Sequence, residues 1–148
     1  MIKDGLKIKG NLDIVVYDEQ KQVKDQRKVN NLVVAVGKNY IASRMESNAA
    51  VVMSHMAVGG GNIAPTTADT TLSGEIDRIV LDSTTRTNNT LTYVCTFPAG
   101  NATGTLAEAG IFNNPTANLG TLLCRTNFNE VNKGAGDVVV ITWNVVVE

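Results

Sequence analysis

One histidine, His55, is all the imidazole in this 148-residue sequence. A Ser-His-acid triad would have to use it as the base. It stands mid-segment between Ser54 and Met56, away from any nucleophile motif, and reads as structural. Cysteine is almost as scarce. Cys95 and Cys124 lie far apart inside strand-like segments, without the spacing of a zinc site, and are expected as buried free thiols. Aromatics make up 5% of the chain, with one tryptophan, Trp143, inside an apolar strand. Glu75, Asp77, Glu108 and Glu130 could supply paired carboxylates for sugar cleavage. The aromatic platforms that usually accompany such sites are missing, and Trp143 is expected in the core. No apolar run approaches the roughly 18 residues of a membrane helix, so no membrane contact is expected. The opening "MIKDGLKIKG" lacks the apolar core of a signal peptide. We therefore expect a soluble protein made in a cytoplasm, and discount the glycosylation-like triplets at Asn88 and Asn101. A formal net charge of −1 and the lack of a basic stripe with interleaved aromatics argue against nucleic acid as partner. Asp69 and Asp82 lie in Thr/Ser-rich loops (the second running through "STTRT") and could ligate calcium, but no dense Asp/Asn loop of the calcium-binding type surrounds either. No metal, cofactor or catalytic residue is expected.

Glycine is present, in a conspicuous place. Gly59-Gly60-Gly61 ends a strand-like run, as a phosphate-binding loop would. The residues that follow are Asn62, Ile63, Ala64 and Pro65, with no Gly-Lys-Ser/Thr to open a helix. Pro65 also disfavours helical backbone at Ala64. The triple glycine is thus expected to be a bend where bulky side chains do not fit.

Alternation dominates the rest. "LKIKGNLDIVVYD" sends Leu6, Ile8 and Gly10 one way, "DEQKQ" turns, and "VKDQRKVN" returns as a lysine-rich edge strand. "NLVVAVGKNYIASRMES" is the one helical window, with Val33, Val36, Tyr40, Ile41 and Met45 at helical spacing. Asn30 or Asn31 is its expected N-cap, and Ser47-Asn48 its end. Gly37 weakens the helix by about 1 kcal/mol against alanine, but lets it approach a sheet. Strands are expected in "AVVMSHMAVG", "EIDRIVLD", "NTLTYVCTFP" (Leu91, Tyr93, Cys95 and Phe97 on one face), "AEAGIFN", "TLLCRTNF" and "DVVVITWNVVV". In the last, odd positions from Val139 to Val147 are apolar and even positions mixed, so one face is core and the other suits a neighbour. The expectation is a mainly β protein: one antiparallel, jelly-roll-like β-sandwich domain over 1–148 with one short α-helix. An N-terminal arm and hairpin would take 1–30, the helix 32–47 and the main sheets 50–148.

The order of segments carries more. "NNLVV" with its helix, "AVGGGNIAPTTADTTLSGE", "F…EAGIFN" and a final "K…GDVVVITW" resemble a group of tailed-bacteriophage virion structural proteins, and the likeness spans most of the chain. That group includes capsid decoration (cement) proteins and tail-fibre or baseplate components. The resemblance implies a structural role in a virion, assembled in the host cytoplasm, with the major capsid protein or other virion proteins as partners. It carries over no catalytic residues. The chain has no collagen-like or coiled-coil stalk, which favours decoration of the head over a place in the tail. A homo-oligomer is expected, a trimer by the symmetry capsids offer. Lys3, Lys7 and Lys9 of the arm and Lys21, Lys24, Arg27 and Lys28 of the hairpin are the expected contact residues. A glycan-binding or glycan-cleaving β-sandwich is the competing class, disfavoured by the scarcity of aromatics.

Overall fold

The structure, a computed structural model, describes residues 5–148. Ten strands and one helix follow in the order β1 (Ile8–Tyr17), β2 (Val23–Asn30), β3 (Leu32–Val33), α1 (Ala35–Glu46), β4 (His55–Gly59), β5 (Glu75–Val80), β6 (Ser83–Thr87), β7 (Thr90–Phe97), β8 (Gly104–Phe112), β9 (Leu122–Lys133) and β10 (Val138–Val147). They form two five-stranded antiparallel sheets. The first runs β2-β1-β10-β7-β6 and the second β3-β9-β8-β4-β5. The sandwich expected from the alternating segments is present, and β2 is an edge strand as its lysines suggested.

Period-two alternation builds the core. Leu12, Ile14 and Val16 of β1, Tyr93, Cys95 and Phe97 of β7, and Val139, Ile141, Trp143 and Val145 of β10 face inward from the first sheet. Met56, Val58, Ala109, Ile111 and Cys124 meet them from the second. Each fully buried large side chain contributes about 1.5–3 kcal/mol relative to exposure. Trp143 is buried as expected, and its indole N–H donates to the Asn31 side-chain oxygen at 2.8 Å.

A second apolar cluster lies on the outside of the second sheet. There Val34, Ala57, Leu72, Phe112 and Leu122 pack together. Leu72 arrives on a long strap, residues 60–74, laid across β4 and β8. Gly110 makes room for it, since a Cβ there would sit 3.0 Å from Leu72 Cδ2 and 2.9 Å from Leu122 Cδ1. The small residues of "AEAGIFN" leave the space for this crossing.

Three segments differ from the sequence reading. The helix begins at Ala35, not at 32, because Leu32 and Val33 pair with Arg125 and Cys124 of β9. Apolar "LVV", with its two β-branched valines, suits a ladder end better than a first helical turn. The cap is consequently Val34, with no side-chain bond, rather than Asn30 or Asn31. Met45, expected on the inward stripe, is 81% exposed. The helix ends at Ser47 as expected, and Gly37 does bring it onto the sheet, where a Cβ would strike the Leu123 carbonyl. The strand expected from residue 50 starts only at His55, leaving Val51 and Val52 outside the ladder. Finally, "STTRT", read as loop, is β6. It pairs with β7 through a two-residue turn in which Asn88 takes φ 54°.

Candidate functional site

The two ends of the strap, Gly61 at one and Ser73-Gly74 at the other, together cradle an anion, and the anion is the protein's own. Gly59 ends β4 and the strap leaves from Gly60. The N–H groups of Gly61, Ser73 and Gly74 donate to the Glu108 carboxylate at 2.8, 2.8 and 2.7 Å, and the Ser73 hydroxyl adds a fourth bond at 3.1 Å. Arg125 Nη2 approaches the same carboxylate at 3.0 Å. Glu108 is wholly buried and Arg125 nearly so. A Cβ on Gly59 would lie 2.8 Å from the Glu108 carboxylate, and one on Gly61 would strike the Ser73 hydroxyl. Converging backbone N–H groups form the same kind of nest that holds phosphates elsewhere, but here the nest is filled.

Arg125 extends the clasp along the strap. Nη1 donates to Asp69 at 2.7 Å and Nη2 to the Ile63 carbonyl at 2.8 Å. Burial pushes the Asp69 carboxyl up, but bonds from the Thr66 N–H, Arg125 and the Thr66 hydroxyl outweigh it and hold the group below the usual range. Separating a buried pair of this kind costs about 3–5 kcal/mol, because one charge stays behind uncompensated.

The other residues singled out in the sequence are held separately. His55 Nδ1 lies 2.7 Å from the Ser54 hydroxyl, and burial, with the nearby Arg78 charge, lowers its pKa. Cys95 and Cys124 are buried free thiols, as expected. Burial pushes the Cys95 thiol up to about 12 and raises Cys124 as well. Glu75 grips Arg78, which lies 3.7 Å over the Phe112 ring and donates to the carbonyls of Asn114, Thr116 and Leu119. Arg78 thereby pins the loop between β8 and β9. Asp77 accepts from Asn101 and from the Ala102 N–H, Glu130 is exposed on β9, and Asp82 accepts from Thr96. Among the described residues no three His, Cys, Asp or Glu side chains converge as metal ligands would, and no helix is long and apolar enough to cross a membrane.

The basic residues do not form one patch. Lys3 lies outside the described residues. Lys7 and Lys9 sit at one end of β1. There the Lys7 backbone pairs with Glu148 and Lys9 Nζ is 2.9 Å from the Glu148 carboxylate. Lys21 is in the turn at the other end of β1, with φ 63°. Lys24 reaches Asp137 at 2.6 Å and, by that bond first, holds its carboxyl below the usual range. Arg27 turns toward the second sheet, pairing with Asp25 and donating to the Asn129 and Glu130 carbonyls. Lys28 stands 3.9 Å from Asp13. Arg27 and Lys24 are thus committed within the chain, while Lys7, Lys9, Lys21 and Lys28 remain largely exposed.

The widest surface feature is the outer face of the first sheet. Strand register aligns Asn30, Asn11, Asn144, Thr92 and Thr85 in one row across all five strands. The next row reads Lys28, Asp13, Thr142, Val94 and Ser83, and the one beyond it Gln26, Val15, Val140 and Thr96. Charge is confined to β1 and β2, since β10, β7 and β6 present only Val, Thr, Asn and Ser on this face. A shallow depression of about 530 Å³ lies on it, lined by Asn11, Asp13, Lys28, Asn30, Thr142 and Asn144. The mixed even positions of the last strand signalled this face. Its continuation over β7 and β6 was hidden because "STTRT" looked like loop. An apolar groove of about 370 Å³ opens between α1 and the first sheet, where Tyr40, Ile41, Met53, Thr84, Leu91 and Val145 are among its walls.

Fold and site together define a two-sheet antiparallel β-sandwich whose most elaborate polar cluster is an internal clasp. No family model, no curated protein and no solved structure matches the chain.

Proposed function

We propose that this protein is a structural component of a bacteriophage virion, namely a capsid decoration protein that binds the outer head surface and stabilises the shell. The observation that carries the reading is where the resembling segments meet. Asp69 of the strap, Glu108 of "EAGIFN" and Arg125 of the following strand join in one clasp. Asn31 of "NNLVV" bonds Trp143 of "VITW". The residues that carry the resemblance are spent on holding the sandwich together, which suits an architectural role with no catalytic step.

The contact surface in this reading is the open outer face of the first sheet, with the exposed lysines of the β1–β2 hairpin beside it. Thr, Asn and Val offer hydrogen bonds and apolar area without the desolvation cost of buried charge. The partner is the major capsid protein or another virion protein. Binding would be strengthened by avidity if the protein is oligomeric.

Co-sedimentation with empty heads, and gold labelling of intact particles, test this. The expected results are binding to assembled heads well above binding to isolated capsid subunits, and label on the head. Label confined to the tail would replace decoration with a tail-fibre or baseplate role, and no virion association would overturn the reading. A glycan array bears on the competing class, where binding to a defined sugar would favour it.

A further inference from the structure

The groove between α1 and the first sheet has a chemistry of its own. Register sets Ile8 beside Val147 and Leu91 beside Val145 on the inner face of the first sheet, and these four form one wall. Ile41 of α1, with Met53 and Leu123, closes the other side. The space between them is about 370 Å³, within the range of pockets that hold small molecules. Such pockets pair apolar walls with a few polar groups that converge on one point.

Here the converging groups are Tyr40, Tyr93 and Arg44. Tyr93 is 5% exposed, yet among the described residues its hydroxyl has no hydrogen-bond partner, and it lines the groove. It lies near the Tyr40 hydroxyl, which in turn faces the Arg44 charge and the Met53 N–H. Burial raises both phenols above their ordinary value, so both keep their protons at neutral pH and can donate. Arg44 is set in place by Nη1, which donates to the carbonyls of Asn48 and Ala50 at 3.3 and 2.7 Å. No carboxylate among the described residues pairs with it.

A guanidinium without a counter-charge, beside two phenol donors, is complementary to a carboxylate. The walls beyond it are complementary to an alkyl chain. A small anion without a chain would leave those walls uncovered, and a wholly apolar molecule would leave the Tyr93 hydroxyl unpaired under it. We propose that the groove binds a free fatty acid, a linear alkyl carboxylate of about ten carbons. Its carboxylate sits on Arg44, Tyr40 and Tyr93, and its chain runs along Ile8, Leu91, Val145 and Val147. This site goes beyond the virion reading and does not depend on it.

Isothermal titration calorimetry of the full chain with sodium decanoate, kept below its micelle-forming concentration, tests this without any virion component. Saturable binding of one decanoate per chain is expected, with a Kd of about 50 µM or tighter. Octanoate, shorter by two CH₂ groups, is expected to bind roughly tenfold more weakly. Decan-1-ol keeps the chain but lacks the charge, and is expected to bind at least about fivefold more weakly. Arg44→Gln should weaken decanoate at least about fivefold while leaving decan-1-ol within about twofold. Tyr93→Phe, which removes only the hydroxyl, should weaken decanoate at least about threefold. Leu91→Trp fills the place of the chain and should abolish binding. Arg44 is exposed and Tyr93→Phe keeps the ring, so the test does not hang on whether Leu91→Trp folds. No saturable binding at about 1 mM decanoate would overturn the proposal. So would equal affinity for the acid and the alcohol, or decanoate binding indifferent to all three substitutions. Binding to phosphatidylglycerol vesicles without binding to decanoate would also overturn it, by assigning the groove to a bilayer lipid.

Discussion

The first sheet is buried on one face, and the second on both at its central strands β4 and β8. β10 of the first sheet alternates cleanly, Val139, Ile141, Trp143 and Val145 inward and Val138, Val140, Thr142, Asn144 and Val146 outward and only half-buried. β8 of the second is buried at seven consecutive positions from Leu106 to Phe112. The difference comes from the strap, which lays Leu72 over Gly110 and fastens itself to Glu108 and Arg125. Where the strap seals β4 and β8, the second sheet has no outer surface to offer a partner. The sheet left bare is five strands wide and almost free of charge beyond β1 and β2, and it is the face proposed for contact with other molecules.

Breaking the seal is the largest perturbation expected. Glu108→Ala leaves three N–H donors unpaired and takes from Arg125 the more deeply buried of its two carboxylate partners, and is expected to cost about 3–5 kcal/mol. For a chain of this size that lowers Tm by roughly 6–20 °C. Thermal unfolding followed by circular dichroism checks it, and a Tm within about 2 °C of wild type would mean the clasp is not what fastens the strap. Leu72→Ala should follow at about 2–4 kcal/mol, whereas Val140→Ala, at a comparable place outside the first sheet, should cost less than about 1 kcal/mol. Equal losses, measured by urea unfolding, would erase the contrast between the sheets. Gly37→Ala should fall between these at about 1–3 kcal/mol, since α1 must retreat from the Leu123 carbonyl.

Acid sharpens the same comparison. Asp69, in the strap, and Asp137, beside β10, have carboxyls held below the usual range in the folded protein. A depressed carboxyl contributes stability that is present above its unfolded pKa of about 3.9 and is lost as pH falls through the lower folded value. The urea midpoint should therefore drop between pH 5 and pH 2. Asp69→Asn should flatten part of that drop, and a midpoint that rises with acid would contradict the assignment.

Much of this fold is legible in the residue pattern because one-sided burial leaves a period of two. The inward Leu12, Ile14 and Val16 and the inward odd positions of β7 and β10 are plain in the sequence, as are the hairpin and the close approach at Gly37. Two kinds of feature are not. An exposed strand such as "STTRT" has no buried side to alternate against, so only its β-branched threonines hint at it. "LVV" before the helix continues its apolar spacing, so the two-residue ladder of Leu32 and Val33 with β9 leaves no separate signal. The clasp is hidden for a different reason, since its members come from positions 59–74, 108 and 125 and meet only when the strap folds back. A signal existed in the single charges of "LAEAGIF" and "LLCRTNF", because a lone Glu and a lone Arg inside apolar runs are strong candidates for each other. The basic residues were legible as a sequence cluster, but strand direction separates Lys9 from Lys21 by the length of β1.

The account rests on the bare face of the first sheet being a contact surface and not merely unfinished core, and a charge placed in its middle tests that most directly. Thr142→Glu, measured for both Tm and co-sedimentation with empty heads, is predicted to change Tm by less than about 2 °C while weakening head binding at least about tenfold. Undiminished head binding at wild-type Tm would contradict the account, and so would a Tm loss as large as that of Leu72→Ala.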